Sequence, residues 1–258
     1  MPELPDLEVF SHNLHKKLTR KKVKKVVIGN AKKLKTPAAT LKKNIEKKVL
    51  KKVYREGKEL HFKFNDGTVL GLHLMLKGRL YFFEKKNEQK YTIIELLFED
   101  DTGLALTDFQ GQATPTLNPE PREAPDALDT AVNYSFLKKA LQTKATIKNL
   151  LLDQHVIRGI GNAYADEILW KAGISPFSVS NKIPDSKIKT LAKAIKSVLK
   201  NAEKQIRKSD PDIISGEVRD FLDIHNSKKK TSPGGAVIKQ STAASRKTYY
   251  TDEQELYK

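Results

Sequence analysis

The chain opens Met1-Pro2-Glu3-Leu4-Pro5, and removal of Met1, which a small second residue such as proline permits, would make a secondary amine its terminus. An α-amine titrates near pH ~8, far below lysine at ~10.4, so part of it is an uncharged nucleophile at neutral pH. With an aldehyde, a secondary amine condenses to a cationic iminium. That cation is an electron sink of the kind that Schiff-base lysines supply in covalent catalysis. Glu3 places a carboxyl group for proton transfer one residue away. Many chains begin Met-Pro, so this pair takes its meaning from the rest of the sequence.

A second stretch with chemical potential is Arg158-Gly159-Ile160-Gly161-Asn162-Ala163-Tyr164. Its two glycines allow a sharp turn between helices. Asn162 stands where it would cap the following helix, whose free amides and positive dipole end attract phosphate. Taken alone, this is an ordinary helix–helix turn. The charge changes that reading: the 258 residues carry 48 Lys and Arg against 31 Asp and Glu, a formal net charge of +17. Between Leu14 and Lys58 there are 18 basic residues and only two acids, Glu46 and Glu56. Such a field attracts polyanions, nucleic acid first among them. A lysine-rich solvated face would carry the same charge without a partner.

These groups need elements to hold them. Leu4, Leu7, Phe10, Leu14 and Leu18 form one apolar stripe of an amphipathic helix entered through Pro5. From Lys22 to about Glu99 the pattern is of short strands: Val23–Ile28, Thr68–Leu76, Leu80–Phe83 and Tyr91–Phe98. Turn signals stand at Asn65-Asp66-Gly67 and Lys77-Gly78. Close spacing argues for an antiparallel sandwich or barrel. Asn118–Asp129, rich in Pro, Glu and Ala, reads as a linker. Helices are expected over Tyr134–Leu141, Thr146–Leu152, Ala163–Lys171 and Ser186–Ile206. Asn226–Gly235 reads as a flexible loop, followed by strands at Ala236–Gln240 and Arg246–Tyr250 around a Ser/Thr/Ala turn. The expected fold is α+β. Residues 1–117 would form an N-terminal antiparallel β-sandwich with its helix, 118–130 a linker, 131–225 a helical domain and 226–258 a hairpin. The chain is long enough for two cores. It has no cysteine, hence no disulfide or thiolate metal site, and a reducing cytoplasm is the default expectation. No run of 18 apolar residues crosses a membrane, and charges from Glu3 onward interrupt any leader pattern.

The run Gln154–Leu169 resembles the helix-two-turns-helix of the formamidopyrimidine-DNA glycosylase and endonuclease VIII family. Pro2-Glu3-Leu4-Pro5 resembles that family's catalytic N-terminus, and Gly57-Lys58 its β-domain lysine, ahead of His73–Gly78. Arg246-Lys247-Thr248-Tyr249-Tyr250 resembles the second strand of its C-terminal finger. The matches follow the family's order from residue 2 to residue 250. The resemblance implies a bifunctional glycosylase and abasic-site lyase of base excision repair, acting on oxidised bases flipped out of duplex DNA. Pro2 would attack the sugar C1′, Glu3 would be the acid/base partner, and the strand would break by β and δ elimination. Lys58, grouped with Pro2 and Glu3 as catalytic, would bind phosphates flanking the lesion together with Asn162 and Arg246, with Gly161 contributing backbone. Leu76 would act as a wedge where the family often has methionine, and Phe109 or Gln110 would stand in for the absent Arg and Phe of the second void-filling loop. Asp6 replaces a frequent glutamate.

The family's finger usually holds zinc through four cysteines. Thr251 and Gln254 stand at the last two positions, and no cysteine replaces the first pair. The resemblance therefore implies a zincless finger with no metal or other cofactor, held by packing of Tyr249 and Tyr250. The implied partner is damaged double-stranded DNA, with no membrane; the chain would be monomeric and, in a bacterium, cytoplasmic with the nucleoid. Two other readings stay open. A non-catalytic damaged-DNA-binding relative would fit the altered loop and finger, and a basic RNA-binding protein would fit the charge. Lesion preference, purine or pyrimidine, is open.

Overall fold

The computed structural model describes residues 1–30, 34–243 and 245–258. Two compact units emerge. One comprises Met1–Pro2, Asp6–Pro121 and Arg207–Glu217; the other comprises Glu3–Pro5, Arg122–Ile206 and Val218–Lys258.

Helix α1 spans Leu4–Leu18, and its stripe Leu4, Leu7, Phe10, Leu14 and Leu18 is buried as the spacing requires. The first unit builds two four-stranded antiparallel sheets. One has the order β1 (Val23–Ile28), β6 (Thr92–Phe98), β7 (Thr102–Thr107), β5 (Arg79–Glu84). The other has the order β2 (Leu50–Glu56), β3 (Glu59–Phe64), β4 (Val69–His73), β8 (Thr114–Leu117). The expected sandwich strands are there, and a short helix α2, Ala38–Ile45, buries Leu41 and Ile45. Strands β2 and β3 lack clean alternation, because lysines interrupt Leu50-Lys51-Lys52-Val53, and only their pairing reveals them. Gly57-Lys58 is the two-residue turn of that hairpin, with Glu56 opposite Glu59 and Gly57 at φ 57°. Strand β4 ends at His73 rather than Leu76. Met75 turns to φ 53°, its N–H donates to His73 Nδ1 at 3.1 Å, and Gly78 N–H returns to Leu74 O at 2.8 Å. A Cβ on Gly78 would lie 2.2 Å from Leu74 O, so only glycine closes this turn.

The second unit is helical: α3 (Tyr134–Ala140), α4 (Ile147–Leu152), α5 (Asn162–Ala172) and α6 (Asp185–Ser209). Asn133 and Thr146 cap α3 and α4 through their side-chain oxygens, and α5 ends in Gly173 at φ 65°. The core gathers Ile188, Leu191, Ile195 and Leu199 of α6 with Leu150, Leu151, Tyr164 and Ile168. Each such aliphatic side chain contributes about 1.5–3 kcal/mol by leaving water. The terminal hairpin pairs β9 (Lys239–Ala243) with β10 (Arg246–Tyr250); of the expected Ser/Thr/Ala turn, Ala244 lies outside the described residues. The first strand starts three residues later than the pattern suggests, because Ala236–Ile238 are taken by a preceding loop closure. Ser232 N–H donates to Ala236 O at 2.8 Å and Ile238 N–H to Lys230 O at 2.9 Å, so the segment expected to be loose is internally bonded.

Candidate active site

Glu3 is 4% exposed, and its carboxylate accepts N–H bonds from Gly161 at 2.8 Å, Ala163 at 2.9 Å and Tyr164 at 3.3 Å. Those are the amides of the residue before α5 (Asn162–Ala172) and of its first turn, where unpaired donors and the helix dipole favour an anion. The helix terminus at Arg158–Tyr164, expected to attract phosphate, holds the Glu3 carboxylate on these amides instead. Gly161 is the residue before the helix and has no side-chain cap; Asn162 is the first helical residue rather than the cap. A Cβ on Gly161 would lie 2.3 Å from Glu3 Cδ, and one on Gly159, at φ 102°, 2.5 Å from Leu4 Cδ1. Both glycines are thus explained by the N-terminal segment that packs on them, which Leu4 N–H also joins to Gly159 O at 3.2 Å.

Pro2, next in the chain, is buried and lines a pocket of about 340 Å³ with Met1, the turn Leu76–Arg79 and Gly216–Glu217. Leu76 and Phe109 are 58% and 61% exposed, as are Tyr91 and Val237 elsewhere at 65% and 64%. The Phe109 loop is built by Asp108, a buried residue outside the sequence reading. Its oxygens accept N–H bonds from Gln110 at 2.9 Å and from Gln112 and Ala113 at 2.8 Å, while Gly111 takes φ 62°. This leaves Phe109 and Gln110 on the surface. Asp108 followed by Gly111 is a turn signal that could have been read. Lys58 sits half-buried in the β2–β3 turn, which Arg55 braces with bonds to Gly57 O at 3.1 Å and Glu8 Oε2 at 2.8 Å.

In the second unit Asn162 Nδ2 donates to Lys247 O at 2.8 Å, joining α5 to the strand that begins with exposed Arg246. A carbonyl only accepts, so this bond fixes the amide's orientation and leaves Oδ1 buried without a donor. That hairpin is anchored by a buried polar cluster. Lys148 and Asp166 are both fully buried, and their Nζ and Oδ1 are 2.6 Å apart. Lys148 Nζ also donates to Thr248 Oγ1 at 2.7 Å, and Asp166 Oδ2 accepts from His225 Nδ1 at 2.7 Å and Tyr249 N–H at 3.0 Å. Burial pushes the Lys148 ammonium pKa down, and Asp166 opposes that shift. Glu167 accepts N–H bonds from Asp223, Ile224 and His225, and burial pushes its carboxyl pKa up. Tyr249 packs on His225 with centroids 4.6 Å apart, and Tyr250 meets Phe177 edge-on at 5.1 Å. Tyrosine packing is therefore present as expected, but the ion cluster was missed, because its members lie far apart in the chain.

Around Thr251 and Gln254 the donor set does not suit zinc. Thr251 Oγ1 donates to Glu253 Oε2 at 2.9 Å, and Trp170 Nε1 donates to the same oxygen at 2.9 Å. Gln254 Oε1 accepts Thr251 N–H at 2.9 Å while its Nε2 donates to Ile174 O at 2.8 Å. Hydroxyl, amide and indole groups hold one another here, and zinc prefers thiolate and imidazole. Among the described residues no cluster of three or more His, Cys, Asp or Glu could hold a metal, and no helix is long and apolar enough to cross a membrane.

Two family models match: the formamidopyrimidine-DNA glycosylase N-terminal domain over residues 1–114 and the formamidopyrimidine-DNA glycosylase H2TH domain over residues 124–210. The formamidopyrimidine-DNA glycosylase of Desulforamulus reducens is 30% identical over 97% of each chain. That of Ligilactobacillus salivarius is 32% identical over 74% of this chain and 73% of its own. Among solved structures, the wild-type Lactococcus lactis Fpg in complex with DNA containing an oxidised pyrimidine aligns with a TM-score of 0.89 and 25% identity. The alignment covers 98% of this chain and all of that one. A complex of a mutant Lactococcus lactis Fpg with Fapy-dG containing DNA aligns with a TM-score of 0.88 at the same identity and coverage.

Proposed function

The chain belongs to the formamidopyrimidine-DNA glycosylase family, and on that premise we propose that Pro2, freed by loss of Met1, is its nucleophile. As a member it is a DNA N-glycosylase of base excision repair, with the abasic-site lyase activity typical of the family. Its partner is duplex DNA carrying an oxidised base, extruded from the stack for attack. The Pro2 nitrogen bonds to C1′ as the bond from C1′ to the damaged base breaks. The nitrogen lone pair then expels O4′, which takes a proton as the sugar ring opens. The iminium so formed acidifies the adjacent sugar carbon, and the two phosphates depart by successive β and δ elimination. Lys58, Asn162 and Arg246 hold phosphates flanking the flipped nucleotide, Arg246 as a bidentate fork. Leu76, with Phe109 or Gln110, fills the space the base vacates.

The observation that supports this reading most is the anchoring of Glu3. The Gly161 amide and two amides of α5 fix the residue next to Pro2, so the N-terminal segment is held where a loose terminus would fray. Glu3 would then serve ring opening as acid/base partner from that fixed position. Gly161 would serve through the turn that admits Glu3 rather than through an amide of its own, since that amide is occupied. The protein would act as a monomer in the bacterial cytoplasm, with residues 1–117 as the catalytic domain, 118–130 as the linker, 131–225 as the helix-two-turns-helix domain and 226–258 as the finger.

Borohydride trapping on duplexes carrying an abasic site, 8-oxoguanine or an oxidised pyrimidine tests the reading. A covalent complex with wild type that is lost in Pro2→Gly supports it and ranks the lesions. No complex on any duplex, with Pro2 shown by intact mass to be the terminus, would favour the non-catalytic damage-binding alternative.

A further inference from the structure

The wall of the Pro2 pocket carries a carboxylate that the mechanism above leaves unused. Glu217 Oε1 pairs with the terminal ammonium of Met1. The segment that delivers Glu217 is pinned at several points. Buried Asn13 donates through Nδ2 to Pro211 O at 2.8 Å and Ile213 O at 2.9 Å, and Leu80 N–H donates to Ser215 Oγ at 3.0 Å. Ile213 is buried beside them, and Gly216 takes φ 94°, a left-handed conformation that favours glycine.

Among the described residues the other charged side chains lining the pocket are Lys77 and Arg79, both cations, which cannot take a proton from an ammonium. Glu3 has its carboxylate turned to the α5 amides and is 4% exposed, whereas the Glu217 side chain is 34% exposed. Loss of Met1 moves the terminal amine one residue along the chain, about 3.8 Å between α-carbons. Pro2 lines the same pocket.

We propose that Glu217 is a catalytic residue that takes the first proton from the Pro2 ammonium and returns it to the departing oxygen. The proposal rests on Pro2 being the nucleophile. On an abasic site the ammonium gives one proton to Glu217, and the freed nitrogen lone pair attacks the C1′ aldehyde carbon. The carbonyl π pair moves to oxygen, which collects the second proton from nitrogen to give a carbinolamine. Protonated Glu217 then delivers its proton to that hydroxyl, and the C–O bond breaks to release water. The nitrogen lone pair forms the iminium, and Glu217 is again a carboxylate.

The same carboxylate makes an electrostatic signature. A negative charge beside the ammonium favours its protonated form, so removing that charge lowers the amine's pKa. Single-turnover trapping on an abasic duplex, measured against pH for wild type, Glu217→Gln, Glu217→Asp and Pro2→Gly, reads both effects. For Glu217→Gln the plateau rate is expected to fall by about 100-fold, the range of general acid–base catalysis. Its acid limb should move to lower pH, because free amine persists there. Glu217→Asp, which keeps the charge, should lose less than about a tenth of that factor and keep the wild-type limb.

Binding of each variant to an uncleavable abasic analogue, with its melting temperature, checks that the fold is intact. An unchanged plateau in Glu217→Gln, or a fall with no movement of the limb, overturns the assignment. Wild type that fails to trap with Pro2 free, or Pro2→Gly that traps normally, instead overturns the nucleophile reading on which it rests.

Discussion

The N-terminal segment and the finger hairpin solve one problem in opposite ways: each must hold a terminal stretch of chain still. Glu3 and Leu4 are held by one short turn, residues 159–164, mainly through backbone N–H and C=O groups. The Arg246 strand is held by side chains from widely separated segments, with Lys148, Asp166 and His225 at one end and Trp170, Glu253 and Gln254 at the other. A backbone anchor needs room, which two glycines supply. A side-chain anchor needs matched charges and donors, and a single substitution leaves the remaining partner buried and unpaired. The finger is therefore expected to be the more fragile of the two.

The largest effect should come from the buried pair. Lys148→Met leaves Asp166 without its cation and should cost about 3–5 kcal/mol in denaturant unfolding. A loss below 1 kcal/mol would mean that His225 and Tyr249 satisfy Asp166 on their own. Next is Glu3→Ala, which strips the acceptor from the α5 amides; about 2 kcal/mol is expected by the same measurement. A greater loss than for Lys148→Met would reverse the comparison.

Gln254→Ala removes an acceptor from Thr251 N–H and a donor to Ile174 O. It should cost about 1–2 kcal/mol. Arg246→Ala touches an exposed side chain and should change stability by less than about 0.5 kcal/mol. Its effect should appear in binding to damaged duplex, where the slope of log K against log salt flattens by about 0.9, one phosphate contact. The smallest effect is expected from a chelator, which should leave both melting temperature and lyase rate unchanged; a drop in either would reveal a metal in the finger.

The difference between the two anchors also explains what could be read from the sequence. The α1 stripe and the long helix α6 follow from periodicity, because one face of each is buried against a core. The 158–164 turn is legible because its spacing is local. The use of that turn is not, since the anion that α5 binds is contributed by a residue about 160 positions away. The same holds for Asp166, His225 and Thr248: nothing in the spacing of 148, 166, 225 and 248 announces that they converge. Strands β2 and β3 were hidden by lysines on their exposed face, and the Lys230–Ile238 loop by a composition that reads as loose although its backbone is bonded to itself.

The measurement that tests the central claim most directly is peptide mass mapping of the borohydride-reduced adduct formed with an abasic duplex. The account predicts the sugar remnant on the nitrogen of an N-terminal Pro2, in a peptide lacking Met1. An adduct on a lysine, Lys58 included, or an adduct formed while Met1 is still attached, would contradict it.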